Sequence, residues 1–247
     1  MNFITPLSLV RFLFVGLLAA VVPLTAGTIL KEDFSKSPVG SFRQPIMEGG
    51  ASLKTWNGPK EGTWGSFEVI EDKECTGGRA LAIRDLSSVR DQAPSVLLDW
   101  PKVPAGSPAL VLIELKYKIV PPPSRADGTS GAYRADILVG GSWSQAICNV
   151  IMENGQIRSH DGKKATVLGK YVPMRWQTLR MEISTKEKTF SLSVEGRLLA
   201  NGLPWVNENN PSLGGLVIKA DMSPTERAGD IVLMISDLSV SVQTESR

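Results

Sequence analysis

The chain has 247 residues but only one histidine and two cysteines, and its charges nearly cancel at 27 Lys+Arg against 25 Asp+Glu. Each shortage excludes something. Cys75 and Cys148 are too few for a disulfide scaffold, and with His160 alone they make no zinc site. A net charge of +2 gives no electrostatic footprint for nucleic acid or an anionic membrane surface. With 42 % apolar and 21 % charged residues, the composition is that of a globular protein, neither a disordered tail nor a coiled coil. Helix-period stretches are scarce, no repeat recurs at a fixed period, and no glycine-rich phosphate loop joins a strand to a helix.

What is present begins with a leader. Arg11 precedes the uncharged run Phe12 to Leu24, which is followed by the small residues Ala26 and Gly27 and the polar Lys31-Glu32-Asp33. This is the layout of a secretory signal peptide, expected over residues 1–27. The run is short of a spanning helix and is interrupted by Pro23, so no membrane span is expected once the leader is removed. An exported protein, periplasmic or extracellular, is the expectation. Export permits a Cys75–Cys148 bridge; the simpler reading is a buried Cys148 and a free Cys75 in the loop Lys73 to Gly78.

Beyond the leader, alternation dominates. Val111, Ile113, Leu115, Tyr117 and Ile119 alternate with polar residues until Pro121-Pro122-Pro123 stops the strand. Tyr133, Ala135, Ile137 and Val139 alternate with Arg134, Asp136 and Leu138. Asn154-Gly155 between two β segments is a hairpin signal, because both central residues need positive φ. Further strands are expected at Leu179-Met181-Ile183, Phe190-Leu192-Val194, Leu216–Ile218 and Ile231–Val242. About a dozen short strands with frequent turns and no crossover helix predict an all-β antiparallel sandwich. One domain is expected over residues 28–247, since a cut at the loop 121–131 would leave each half with exposed edges.

Trp176 followed by Leu179, Met181 and Ile183, a polar turn, Phe190, Leu192, Val194 and the Glu195-Gly196 turn resembles the central hairpin of concanavalin A-like lectin/glucanase domains, laminin G-like branch. Glu32-Asp33-Phe34, Gly78-Arg79-Ala80-Leu81-Ala82-Ile83-Arg84-Asp85 and Ser236-Asp237-Leu238-Ser239-Val240 are similar to the opening, second and closing strands of bacterial exported members. The resemblance implies a two-sheet jelly roll whose concave face or rim loops bind glycans or protein ligands. It also implies a place for structural calcium between Glu32, Asp33 and Asp237, although no metal or other cofactor is assigned.

No catalytic signature stands out, and no catalytic residue is assigned. Glu71-Asp72-Lys73-Glu74 reads as a solvated loop and His160 as a turn residue. Glu114, Asp136 and Glu182 fall on polar strand faces and would form a hydrolytic groove with Arg134, Lys116 and Arg180 only if their strands were neighbours. Trp64, Trp100 and Trp176 are expected to pack; Trp56 and Trp205 lie in loops, and Trp143 sits in the small-residue loop Gly140 to Ser144. Trp143, Arg134 and Asp136 are the expected ligand-binding residues. The leading expectation is a non-catalytic recognition module for a polysaccharide or surface glycan. The alternatives are a glycoside hydrolase or polysaccharide lyase, and a structural or protein-interaction domain of the cell envelope.

Overall fold

The structure, a computed structural model, describes residues 27–42, 45–48, 50–56, 64–86, 93–121, 133–140, 146–222 and 231–244. Among these residues there are seventeen strands, numbered β1–β17 in chain order, and no helix. They form two antiparallel sheets packed face to face, the expected jelly-roll sandwich.

The nine-stranded sheet runs β15 (Arg197–Pro204), β14 (Thr189–Val194), β13 (Gln177–Ser184), β8 (Ala109–Val120), β17 (Ile231–Thr244), β6 (Arg79–Asp85), β5 (Gly65–Glu71), β2 (Gly40–Ser41), with β1 (Gly27–Glu32) also on β17. The eight-stranded sheet runs β12 (Ala165–Lys170), β11 (Gln156–His160), β10 (Cys148–Glu153), β9 (Tyr133–Val139), β16 (Ser212–Met222), β7 (Ser95–Pro104), β4 (Ala51–Trp56), β3 (Ile46–Glu48). The period of two sends Ile113, Leu115 and Tyr117 of β8 and Leu179, Met181 and Ile183 of β13 inward. There they share one core with Ile137 and Val139 of β9, Val150 and Met152 of β10, and Leu216 and Ile218 of β16. Burying each such side chain contributes roughly 1.5–3 kcal/mol, so a one-residue slip in any of these strands would be strongly disfavoured.

The turns behave as their residues predict. Asn154 and Gly155 have φ of 48° and 79°, and Glu195 and Gly196 have 51° and 71°, the left-handed pair that a two-residue hairpin requires. In β17 the register shifts between Ser236 and Ser239, with Asp237 at φ 46°. This bulge is where one edge of β17 passes from pairing with β6 (Ile231–Ile235) to pairing with β1 (Leu238–Val242).

Three sequence expectations need revision. The strands β2, β3, β4 and β12 were not legible, β2 and β3 being short and β12 exposed along most of its length. His160 is the last residue of β11, and the turn begins only after it. Trp176 packs as expected, against Cys75 and Ala80 on the outer side of the nine-stranded sheet. Trp56, expected in a loop, is the last residue of β4, whereas Trp205 lies in a loop as expected and is buried in the core. Cys148 lies between the sheets and Cys75 outside them, both as free thiols. Residues 1–26 of the expected leader lie outside the described residues, and Gly27 opens β1 opposite Val242.

Candidate functional site

β9 and β16 are neighbours deep in the eight-stranded sheet, and each carries the same tripeptide pattern, a cation, an alanine and an aspartate. Arg134-Ala135-Asp136 runs antiparallel to Lys219-Ala220-Asp221, so Arg134 pairs with Asp221, Ala135 with Ala220 and Asp136 with Lys219. Alternation sends the two alanines into the core and all four charges to the outer face. Opposite registers place each cation across from an anion, which favours this pairing over any slipped one.

The resulting cluster is tight and dry. Arg134 Nε donates to Asp136 Oδ1 at 2.6 Å, while Lys219 Nζ stands 3.3 Å from Asp136 Oδ2 and 3.6 Å from Asp221 Oδ2. The Asp136 side chain is 0 % exposed, that of Asp221 5 % and that of Lys219 9 %. Burial works against the Arg134 charge, but the carboxylates of Asp136, Asp221 and Glu153 outweigh it and hold the guanidinium pKa above its ordinary value. Glu153 of β10 lies opposite Arg134 and takes Arg158 Nη1 of β11 at 2.9 Å. Asn149 of β10 lies diagonally from Asp136, on the same face.

Two acceptors here lack an aligned protein donor: Asp136 Oδ2, where Lys219 supplies charge without hydrogen-bond geometry, and Asn149 Oδ1. Leaving a buried acceptor unsatisfied costs about 1–3 kcal/mol.

Of the expected ligand-binding residues, Arg134 and Asp136 are thus in direct contact, and Trp143 lies outside the described residues. Sequence reasoning missed Lys219, Asp221 and Asn149. The signal available was the repeated cation–Ala–Asp tripeptide, which becomes informative only once the two strands are known to pair.

The hydrolytic trio is not assembled. Glu114 and Glu182 lie on the outer face of the nine-stranded sheet, flanking Arg180 at 4.0 and 2.9 Å, while Asp136 points outward from the other sheet. The whole sandwich stands between them, far beyond the separation over which two carboxylates attack one glycosidic bond. His160 shares the outer face of the eight-stranded sheet, where its Nδ1 accepts from the Gly162 amide at 3.0 Å.

Glu32, Asp33 and Asp237 do reach one polar groove, together with Thr76, Glu114 and Lys116, because β1 pairs with β17 beyond the bulge. Their carboxylates turn to local partners: Glu32 to the Phe34 amide, Asp33 to the Ser35 amide and Asp237 to the Thr76 hydroxyl. Hydrogen bonds from the Ser35 side chain and amide hold the Asp33 carboxyl below its usual range. Among the described residues no three acidic, histidine or cysteine side chains gather closely enough to hold a cation.

No family model matches the chain, and no curated protein matches it by sequence. Solved structures do resemble it. A sialidase superimposes with a TM-score of 0.58 at 14 % identity over 89 % of this chain and 19 % of its own. A cellulose-induced protein, Cip1, gives 0.58 at 10 % identity, covering 88 % of this chain and 98 % of its own. A carbohydrate esterase from the Shiga toxin-encoding bacteriophage phi24B gives 0.53 at 16 % identity over 89 % of this chain and 100 % of its own. The likeness is one of fold. This chain spans about a fifth of the sialidase and about half of the botulinum neurotoxin binding domains that also match.

Proposed function

We propose that this protein is an exported, non-catalytic module that binds a polysaccharide or surface glycan on the outer face of its eight-stranded sheet. The observation that carries this reading is the cluster of Arg134, Asp136, Lys219 and Asp221, in which buried carboxylates fix Arg134 while 17 % of its side chain stays exposed. A sheet face needed only for solubility would hold such charges in water. A charged side chain held in place by buried carboxylates offers a hydroxyl-rich ligand directional hydrogen bonds at little entropic cost. The fold, shared with a sialidase, a cellulose-induced protein and a carbohydrate esterase, supports a glycan-related role. The dispersal of Glu114, Asp136 and Glu182 over two sheets supports binding without hydrolysis. Export rests on the leader pattern of residues 1–27.

Native electrophoresis through polysaccharide-containing gels tests the reading. The wild type is expected to be retarded, Arg134→Ala to lose the retardation, and Trp143→Ala to weaken it. No retardation on a broad panel, or retardation that survives Arg134→Ala in a folded protein, overturns it. N-terminal sequencing of the released protein checks removal of the leader.

A further inference from the structure

We infer that the polar trough on the outer face of the nine-stranded sheet is a second binding site, one that takes an oligosaccharide carrying free amino groups. It lies on the opposite side of the sandwich from the Arg134 cluster and goes beyond the glycan reading made for that face.

The trough is open and preformed. It encloses about 600 Å³, within the range of small-molecule sites, and crosses four neighbouring strands, β1, β17, β8 and β13. At the usual strand spacing that is roughly 14 Å, room for a short oligosaccharide. Alternation turns Ser239 of β17, Glu114 and Lys116 of β8 and Thr178 of β13 outward to make its floor, and each of them is exposed or half-buried. The end of β1 and the turn after it form one wall, which is held from behind. Phe34 is 0 % exposed in the core, and Arg79 Nη1 donates to the carbonyls of Ser35 and Ser37 at 3.0 and 2.5 Å. Gly77 lets the β5–β6 loop close on this turn, since a Cβ there would stand 2.6 Å from the Asp33 carbonyl oxygen. A wall fixed in this way loses little entropy when a ligand settles against it.

The lining sets the ligand class. Among the described residues that form it none is aromatic or aliphatic, so stacking and apolar burial have no surface to work on. The hydroxyls of Thr28, Thr178, Ser239 and Ser241 both donate and accept, as the hydroxyls of a sugar do. Four carboxylates, Glu32, Asp33, Glu114 and Asp237, against two ammonium groups, Lys31 and Lys116, leave an excess of two negative charges. Lys116 is further engaged, donating to the Glu74 carbonyl 5.8 Å from the Trp176 ring centroid, and Arg180 stands at the margin, 4.0 Å from Glu114. The carboxylates are spread from the end of β1 across the β17 bulge to β8, and among the described residues no three gather round one point. They therefore suit positive charges spaced along a chain better than a single metal ion. A polyuronate would meet like charge, and an uncharged glycan would leave the excess unanswered.

Calorimetry on the full chain at mildly acidic pH, where sugar amines are protonated, compares a glucosamine oligomer with its N-acetylated form and with a lysine peptide of equal charge. Thermal melts serve as folding controls. The glucosamine oligomer is expected to bind at least about tenfold more tightly than either. Ser239→Tyr, which fills the floor, should remove that binding, whereas Ser193→Tyr, on the same face but outside the trough, should leave it unchanged. Glu114→Gln, a conservative change at an exposed side chain, should weaken it roughly two- to fivefold and flatten its salt dependence. Equal binding of the lysine peptide assigns the trough to a basic protein segment and overturns the inference, as does equal binding of the N-acetylated oligomer. Binding that survives both Ser239→Tyr and Glu114→Gln in folded protein overturns it too, and loss in folded Arg134→Ala alone moves the ligand to the other sheet. Absence of glucosamine binding removes this site and leaves the glycan reading, which is tested by Arg134→Ala on polysaccharide gels, standing.

Discussion

The two sheets carry charged residues at alternate positions of their central strands, yet their outer faces are physically different. On the nine-stranded sheet, Arg180 bridges Glu114 and Glu182 with all three side chains 43–47 % exposed. On the eight-stranded sheet, the equivalent arrangement around Asp136 and Lys219 is less than a tenth exposed. The first is a solvated ladder, where high dielectric and salt reduce each pair to a fraction of a kcal/mol. The second is a low-dielectric network whose members depend on one another, and removing one strands the rest. Charge on a strand face says little until the burial of that face is known.

The largest test of this contrast is Asp136→Ala. It leaves Arg134 and Lys219 buried without their shared anion, and should lower unfolding free energy by about 3–5 kcal/mol in urea denaturation. A loss below about 1 kcal/mol would place this face in the same class as the solvated ladder.

An intermediate case lies on the nine-stranded sheet itself, where the loop between β5 and β6 folds back over the outer face. Asp72 accepts Lys118 Nζ at 2.8 Å and Trp176 Nε1 at 3.1 Å, while Lys118 lies 4.7 Å from the Trp176 ring centroid and Lys116 donates to the Glu74 carbonyl. Trp176→Phe keeps the ring under Lys118 but removes the indole donor, and should cost about 1–2 kcal/mol in the same measurement.

The acid range sharpens the comparison further. Burial acts to raise the Asp72 pKa, but hydrogen bonds from Lys118, the Glu74 amide and Trp176 outweigh it and hold the carboxyl below its usual value. A group depressed in the folded state contributes stability above its unfolded pKa and loses it as pH falls through the folded value. The stability difference between wild type and Asp72→Asn should therefore be full at neutral pH and shrink below about pH 4. A difference that stays constant down to pH 2–3 would show that the ion pair contributes nothing.

The smallest effect is expected for Glu182→Ala. This substitution removes an exposed partner of Arg180 and should change stability by no more than about 0.5–1 kcal/mol, less still at high salt. A larger loss would mean that the two outer faces differ less than their exposure indicates.

Much of the fold was legible from residues close in sequence. The alternation in β8, β9, β13 and β14 assigned each side chain to a face, and Asn154-Gly155 and Glu195-Gly196 marked hairpins, because period and turn geometry are local properties. Short or exposed strands such as β2 and β12 escaped because they bury too little to leave a period. Part of the candidate site was also visible, as Arg134 and Asp136. Lys219 and Asp221 were not, since their pattern acquires meaning only from pairing with β9. Glu114 and Glu182 looked like partners of Asp136 for the same reason, as like positions on like strands.

The sequence by itself determined that the chain is a β-sandwich, which residues line its core and where it turns, because each depends on neighbours a few residues away. Tertiary structure alone decided which polar faces coincide, which carboxylates are kept from water and which tryptophan stays exposed. Strand order is set by contacts between segments many tens of residues apart, and the electrostatic worth of a charge depends on the medium that those distant contacts build around it.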